Sequence, residues 1–318
     1  MIASRASVRL SCSIILAALV FSGCVFTDGY DSDRGIFETF VNLSQVTFHE
    51  EDDTEPSICT ADGSMLFVSS RGGNRDIYLT RSNSRAVVQK TSHRAYDINP
   101  TFSPDGTRFA FSSNRNGNYD IFVMNVDRGK AKVQLTDSGA HDITPDWSPD
   151  GSLIAFTRIS PDAEPYVWTK NLESGELTQV AQGASPRFSR DGERLLYKKS
   201  GPDGYFELWI MDIDGEHDTQ IVSSPDWGIR SFSWSPDGRG MIFSASKRTP
   251  PLGGFDYGDS YSGWADLWTV RVDGTHMTQI TSQRGMNVDP QWTSGGWVYF
   301  VSDREDAVNI WRFRLEVE

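Results

Sequence analysis

From residue 43 onward, short apolar runs alternate with polar turns, and no stretch carries the sustained 3.6-residue period of a long helix. The clearest unit spans Pro100 to Thr136. It opens PTFSPDGTRFAFSSNR, passes through a Gly- and Asn-bearing linker into DIFVMNVD, and closes on VQLT. The apolar run ending at Ser-Pro-Asp-Gly predicts a strand closed by a tight turn, because Pro and Gly set the backbone angles and the Asp side chain caps them. Phe109-Ala110-Phe111 predicts a second, buried strand, DIFVMN an aromatic third strand, and VQLT a fourth.

The unit recurs. Copies begin PDWSPDGSLIAFTR at Pro145, PRFSRDGERLLYKK at Pro186 and FSWSPDGRGMIFSA at Phe232, and two worn copies begin PSICTADGSMLFVSSR at Pro56 and PQWTSGGWVYFVSDR at Pro290. The turn glycines of the six units, Gly63, Gly106, Gly151, Gly192, Gly238 and Gly296, stand 43, 45, 41, 46 and 58 residues apart. That period fits a blade of four antiparallel strands, so the expected fold is all-β, a six-bladed β-propeller over residues 43–318. The third-strand pairs, from Ile77-Tyr78 to Ile310-Trp311, read as core. A ring of blades needs its ends joined, since open strand edges invite aggregation. The segment Leu43-Ser-Gln-Val-Thr-Phe48 carries the fourth-strand pattern ahead of the first full unit, while the last unit ends after its third strand. The N-terminal segment is therefore expected to complete blade six.

These PDG-bearing units resemble the repeats of TolB-type β-propellers over about residues 43 to 315. The resemblance implies the propeller fold, but no one function, because the same blade serves scaffolds, receptors and enzymes. TolB carries an α/β domain ahead of its propeller where this chain has only a tether, which argues against copying TolB's role directly. Oligogalacturonate lyases have related repeats with a metal held by histidines and a glutamine. His93 and His141, in the loops that enter blades two and three, thus keep a metal-dependent polysaccharide-binding or lyase-like reading as the alternative.

The N-terminus reads as an address. Arg5 and Arg9 precede the apolar stretch Ser13 to Phe21, a charged and then apolar pattern typical of secretory signals and too short to span a bilayer. Phe21-Ser22-Gly23-Cys24 resembles a bacterial lipobox, with Phe21 where an aliphatic residue is usual. The expected organisation is a lipoprotein signal peptide over 1–23, lipidation at Cys24, and a lipid-anchored tether over 24–42. Two or more acyl chains give a stable anchor. Val25 after the cysteine favours the outer membrane over inner-membrane retention. An ordinary secretory signal with Cys24 an incidental thiol is the plainer reading.

Composition narrows the partners. With 30 Lys and Arg against 43 Asp and Glu, the formal charge of −13 argues against nucleic acid, whose binding needs clustered cations. Cys12, Cys24 and Cys59 suggest no disulfide framework. No nucleophile elbow or zinc motif is present, so a binding protein, with no cofactor required, is expected over an enzyme. An envelope protein or peptide is the expected partner, and a monomer the expected state.

Candidate contacts lie where the second-to-third-strand loops and the loops between blades share one face. His93, Tyr96, Asp97, His141, Asp142, Trp227, Arg230, Asn287 and Asp289 fall in or beside those loops. Asp97 and Asp142 share the spacing Asp-x-x-Pro, which suits either calcium at the channel mouth or turn capping. Arg71, Arg115, Lys247 and Arg304 stand at equal offsets after the second strands, with Arg158 and Lys199 two positions earlier. They read as a basic rim for an acidic peptide or sugar, or as partners of the acids that start the third strands, Asp76, Asp120, Glu207 and Asp266. The 58-residue interval places an insertion, KRTPPLGGFDYGDSYSGW, between strands two and three of blade five. Its Phe255, Tyr257, Tyr261 and Trp264 are candidate binding aromatics or the underside of a lid.

Overall fold

The repeated apolar runs pair locally, each with the next in sequence, in a computed structural model that describes residues 40–127, 132–161, 163–247, 263–282, 285–305 and 307–315. Six four-stranded antiparallel sheets result among the described residues. Blade one is Asp53–Ile58, Met65–Ser69, Asp76–Thr80 and Val87–Gln89. Blade two is Asp97–Phe102, Arg108–Ser113, Asp120–Asn125 and Lys132–Gln134. Blade three is His141–Trp147, Leu153–Ile159, Tyr166–Asn171 and Leu177–Gln182. Blade four is Ala184–Phe188, Arg194–Ser200, Phe206–Asp212 and Thr219–Val222. Blade five is Trp227–Trp234, Gly240–Lys247, Asp266–Arg271 and Thr278–Gln279.

Blade six joins Asn287–Trp292, Trp297–Glu305 and Ala307–Leu315 to a strand from the other end of the described chain, Phe40–Gln45. This strand runs antiparallel to Ala307–Leu315, with Gln45 opposite Trp311. The clasp begins at Phe40, inside the segment read as tether. Its repeat logic holds in atomic detail. In blades one, two and five a threonine two residues past the fourth strand, Thr91, Thr136 or Thr281, accepts the N–H of Ile77, Ile121 or Leu267 and donates to the preceding Asp76, Asp120 or Asp266. Thr47 does the same across the closure, accepting the Ile310 N–H at 3.0 Å and donating to Asn309 at 3.1 Å.

The Ser-Pro-Asp-Gly turns also follow the expected chemistry. Asp105 Oδ1 accepts from Ser103 Oγ at 2.6 Å and from the Thr107 N–H at 3.0 Å, while Gly106 takes φ 68°. Asp150, Asp191 and Asp237 repeat the arrangement. Core side chains fill the space between blades: Leu66, Leu79 and Cys59 of blade one, for example, pack with Phe109, Phe111 and Phe122 of blade two.

Each first strand lines the central channel and is bulged. In five blades the bulge holds a non-glycine residue at φ 51° to 58°, namely Glu55, Asn99, Thr144, Ser185 and Asp289. Each stands directly before a proline. Proline bars its predecessor from the ordinary helical region, and a bulge is one of the few places a sheet admits it. The left-handed backbone aims four of these N–H groups at the preceding blade. There the N–H groups of Asn99, Thr144, Ser185 and Asp289 meet Glu55, Asn99 Oδ1, Thr157 Oγ1 and Ser231 Oγ. The cost of the backbone angle is offset by a hydrogen bond across the blade boundary.

Candidate functional site

The chain direction puts the second-to-third-strand loops and the loops between blades on one face, and the Ser-Pro-Asp-Gly turns on the other. On that loop face the expected basic rim is turned inward. In blades one to three, Arg71, Arg115 and Arg158 lie 4.6 to 5.6 Å from the centroids of their own blade's aromatic pair, Phe67 with Tyr78, Phe111 with Phe122, and Phe156 with Trp168. Each guanidinium then binds the aspartate that opens the first strand. Arg71 meets Asp53 at 2.7 Å, Arg115 meets Asp97 at 2.8 and 3.0 Å, and Arg158 meets Asp142 at 2.7 Å through two nitrogens.

This corrects one sequence expectation. The arginines pair with first-strand acids, not with the acids opening the third strands. Those acids are held otherwise: Gln89, Gln134 and Gln279 donate to Asp76, Asp120 and Asp266 alongside the threonines. Asp97 and Asp142, both fully buried, place both oxygens on a guanidinium. Among the described residues no group of three or more His, Cys, Asp or Glu is placed to hold a metal. His93 and His141 each use Nδ1 to accept a backbone N–H, from Ala95 and Tyr119.

The latch changes in the second half of the ring. Blade six keeps the arginine, Arg304, 5.1 Å from Phe300 and Trp311, with Asn287 in the aspartate's place. Blade four has Gly183 there, and Tyr197 donates to Asp218 at 2.5 Å while Lys199 covers Trp209. Blade five has Gly228, and the Trp227 ring stacks on Phe243 and Trp268 where a guanidinium sits elsewhere. Lys247 ends the second strand of that blade. Phe255, Tyr257 and Tyr261 lie outside the described residues, as do the signal segment 1–23, Cys24 and most of the tether.

Channel acids were not foreseen as a group. Burial, and then the neighbouring Asp289, pushes Glu55 up to about 7. Burial pushes Asp146 up to about 6, against the pull of Arg187 and the Phe188 N–H it accepts at 2.8 Å. For Glu55 and Asp289 the sequence signal was available: with Asn99, Thr144 and Ser185 they precede prolines of the first strands, so strand alternation aims them alike.

What the loop face exposes is aromatic. Among the described residues, the exposed aromatic side chains are Phe48 at 77%, Tyr96 at 43% and Trp264 at 61%, all on loops of this face. The other large exposed apolar residues, Val87, Val88, Val133, Leu177 and Met277, sit on or beside the outer strands. Tyr96 borders a cleft of about 490 Å³ between blades one and two, lined also by Asn74, His93, Arg94, Asn114 and Arg115. Trp264 stands beside the boundary with blade six, where the Ala265 N–H donates to the Gly285 carbonyl and the Ala265 carbonyl accepts the Asn287 N–H.

Comparison with known proteins agrees with this architecture. The TolB beta propeller domain model, PD40, matches residues 129–251. A TolB homolog from Chlorobaculum tepidum is 31% identical over 65 residues, which is 20% of this chain and 15% of that protein's length. Among solved structures, a putative TolB from Agrobacterium tumefaciens superposes with a TM-score of 0.64 at 18% identity, covering 84% of this chain and 91% of that one. An oligogalacturonate lyase from Vibrio parahaemolyticus superposes with a TM-score of 0.59 at 16% identity, covering 92% and 98%. At such identities the two superpositions speak for the fold alone. The family match thus covers residues 129–251, and the propeller fold is shared over most of the chain with the superposed structures.

Proposed function

We propose that this protein is a non-catalytic binding platform of the cell envelope, whose loop face takes a protein or peptide. The observation that carries the reading is the gathering of Phe48, Tyr96 and Trp264 on one face, while the latch arginines are turned inward. Exposed aromatic rings bury large area at small entropic cost, and they dominate protein-binding hot spots. We propose Phe255, Tyr257 and Tyr261, which stand in sequence between Lys247 and Trp264 and outside the described residues, as further partner contacts. The proposed organisation keeps the signal peptide over 1–23, a lipid on Cys24, and an outer-membrane-tethered monomer that requires no cofactor.

A photo-crosslinking amino acid at Phe48 and, separately, at Trp264 tests the platform in cells, with Val133 on an outer strand as control. One shared adduct from the two loop-face positions, absent from Val133, is expected. Equal adducts from all three positions would refute it, as would metal-dependent turnover of acidic glycans by the purified protein. Cys24→Ser is expected to release the protein from membranes or leave it uncleaved; a wild type that already fractionates as soluble refutes the anchor.

A further inference from the structure

The cleft between blades one and two differs in charge from the rest of the molecule. Its lining residues Asn74, His93, Arg94, Tyr96, Asn114 and Arg115 include two arginines and one histidine but no acid, in a chain where acids outnumber Lys and Arg by 43 to 30. The nearby acids are already engaged, Asp97 by Arg115 and Asp76 by Thr91 and Gln89. Its volume falls within the range of about 300 to 1,000 Å³ usual for small-ligand sites.

The walls are built rather than loose. Asn74 Nδ2 donates to the carbonyls of His93 and Ala95 at 2.8 and 2.9 Å, and Asn114 Oδ1 accepts the Tyr96 N–H at 2.9 Å. The loop 93–96 is thus tied to blade one on one side and blade two on the other. His93 Nδ1 accepts the Ala95 N–H, so the neutral ring carries its proton on Nε2, directed away from that turn as a donor. Arg94 is exposed, and the half-exposed Tyr96 ring lies under the Arg75 guanidinium, 5.9 Å from its centroid. The cleft therefore offers a guanidinium fork, an imidazole N–H and an apolar ring.

Resting on the platform reading above, we infer that this cleft receives a carboxylate side chain of the bound peptide. The guanidinium of Arg94 would grip the carboxylate, His93 Nε2–H would donate to it, and Tyr96 would cover the adjoining methylenes. A guanidinium fork matches a carboxylate's two oxygens. A peptide fits better than a sugar acid because the same face exposes Phe48, a ring with no hydrogen-bonding group, next to the blade-one boundary.

The test is fluorescence anisotropy on the full chain with a fluorescein-labelled hexapeptide alternating Glu and Leu, its Gln–Leu counterpart, and tri-galacturonate as competitor. The Glu–Leu peptide is expected to bind at least tenfold tighter than the Gln–Leu peptide. Arg94→Gln is expected to weaken it at least fivefold without moving the melting temperature, Tyr96→Ala to weaken both peptides, and added salt to weaken the acidic one. Equal affinity for the two peptides, indifference to Arg94→Gln, or preferential displacement by tri-galacturonate would overturn the inference. Its failure is separable from that of the platform. If the shared crosslinked adduct at Phe48 and Trp264 persists while the peptides are not distinguished, only the carboxylate site falls. If the adduct is missing while Arg94 governs acidic-peptide binding, the platform falls and the site stands.

Discussion

Glu55 is the residue whose replacement should stabilise the protein most visibly, and the reason lies in the channel. Its carboxylate accepts both the backbone N–H and the side-chain amide of Asn99, joining blade one to blade two. Yet it is surrounded by protein and faces the charge of Asp289, so ionising it is unfavourable and its pKa rises from 4.5 to about 7. Between those two values the folded protein holds more protons at Glu55 than the unfolded chain does. Stability must therefore fall as pH rises through that window. At about 1.4 kcal/mol per tenfold, the full penalty is about 3 kcal/mol, and allowing for the side chain's partial access to the channel leaves about 2 kcal/mol.

Glu55→Gln keeps an acceptor for the Asn99 N–H and removes the charge. Chemical denaturation of wild type and variant at pH 4.5, 6 and 8 should show near-equal stability at the lowest pH and a gain of about 2 kcal/mol for the variant at the highest. The corresponding rise in melting temperature is about 4 to 8 °C for a domain of this size. Asp289→Asn should give part of the same gain by removing the charge that Glu55 faces. A variant no more stable than wild type at pH 8, or an equal gain at every pH, would refute the account of a buried, ionised glutamate.

Three further predictions probe the architecture. Arg115→Met leaves Asp97 buried without its partner and should cost about 3 to 5 kcal/mol by denaturant titration, with much of the loss recovered in the Asp97→Leu/Arg115→Met pair. Thr47→Val removes one hydroxyl from the clasp, taking the acceptor from the Ile310 N–H while Asn309 keeps its bonds to the His49 backbone, and should cost about 1 to 3 kcal/mol with earlier hydrogen exchange in Ala307–Leu315. Gly183→Ala should be among the more damaging single-methyl additions: the new Cβ would stand 2.5 Å from a Tyr197 ring carbon and 2.8 Å from the Lys198 carbonyl, at φ 148°. A melting temperature within 1 °C of wild type would refute that reading.

Blade count, strand order, turn chemistry and the clasp were all legible in the sequence, because each depends on local patterns. Ser-Pro-Asp-Gly bends the chain by its own backbone preferences and side-chain bonds, and Gln-x-Thr marks a fourth strand because Thr47, Thr91, Thr136 and Thr281 all bond the third strand in one way. Partner assignment was less legible. Asp53 and Asp76 flank Arg71 in sequence, as Asp97 and Asp120 flank Arg115, and only the fold shows that the arginine reaches the first strand while a glutamine and a threonine take the third-strand acid. Glu55 was overlooked for a related reason. A lone glutamate before proline in a polar segment looks solvent-facing, and its burial arises only when five other first strands close around it.

The latch also indicates where function can be sought in such a ring. A feature present at the same place in successive blades, such as Arg71, Arg115 and Arg158 over their aromatic pairs, answers a need that every blade shares, which is to hold its first strand against its second. Equal spacing of charges in a repeat protein is thus evidence for architecture before it is evidence for a ligand rim. A ligand that binds once breaks the symmetry, so its contacts belong where the repeat is broken. Here the breaks cluster. Asp97 of blade two has an aspartate counterpart in blades one and three, while the residue before it, the exposed Tyr96, corresponds to Asp52, His141 and the stacked Trp227 in blades one, three and five. Phe48 likewise stands where the next units carry Ser92 and Asp137, and the Trp264 side follows an insertion found in one blade alone. Residues that the blade does not require, yet which expose large apolar area on one face, are retained against the cost of hydrating them. Covering by a partner removes that cost, which is why the loop face, and not the inward-turned arginines, is where binding should be sought.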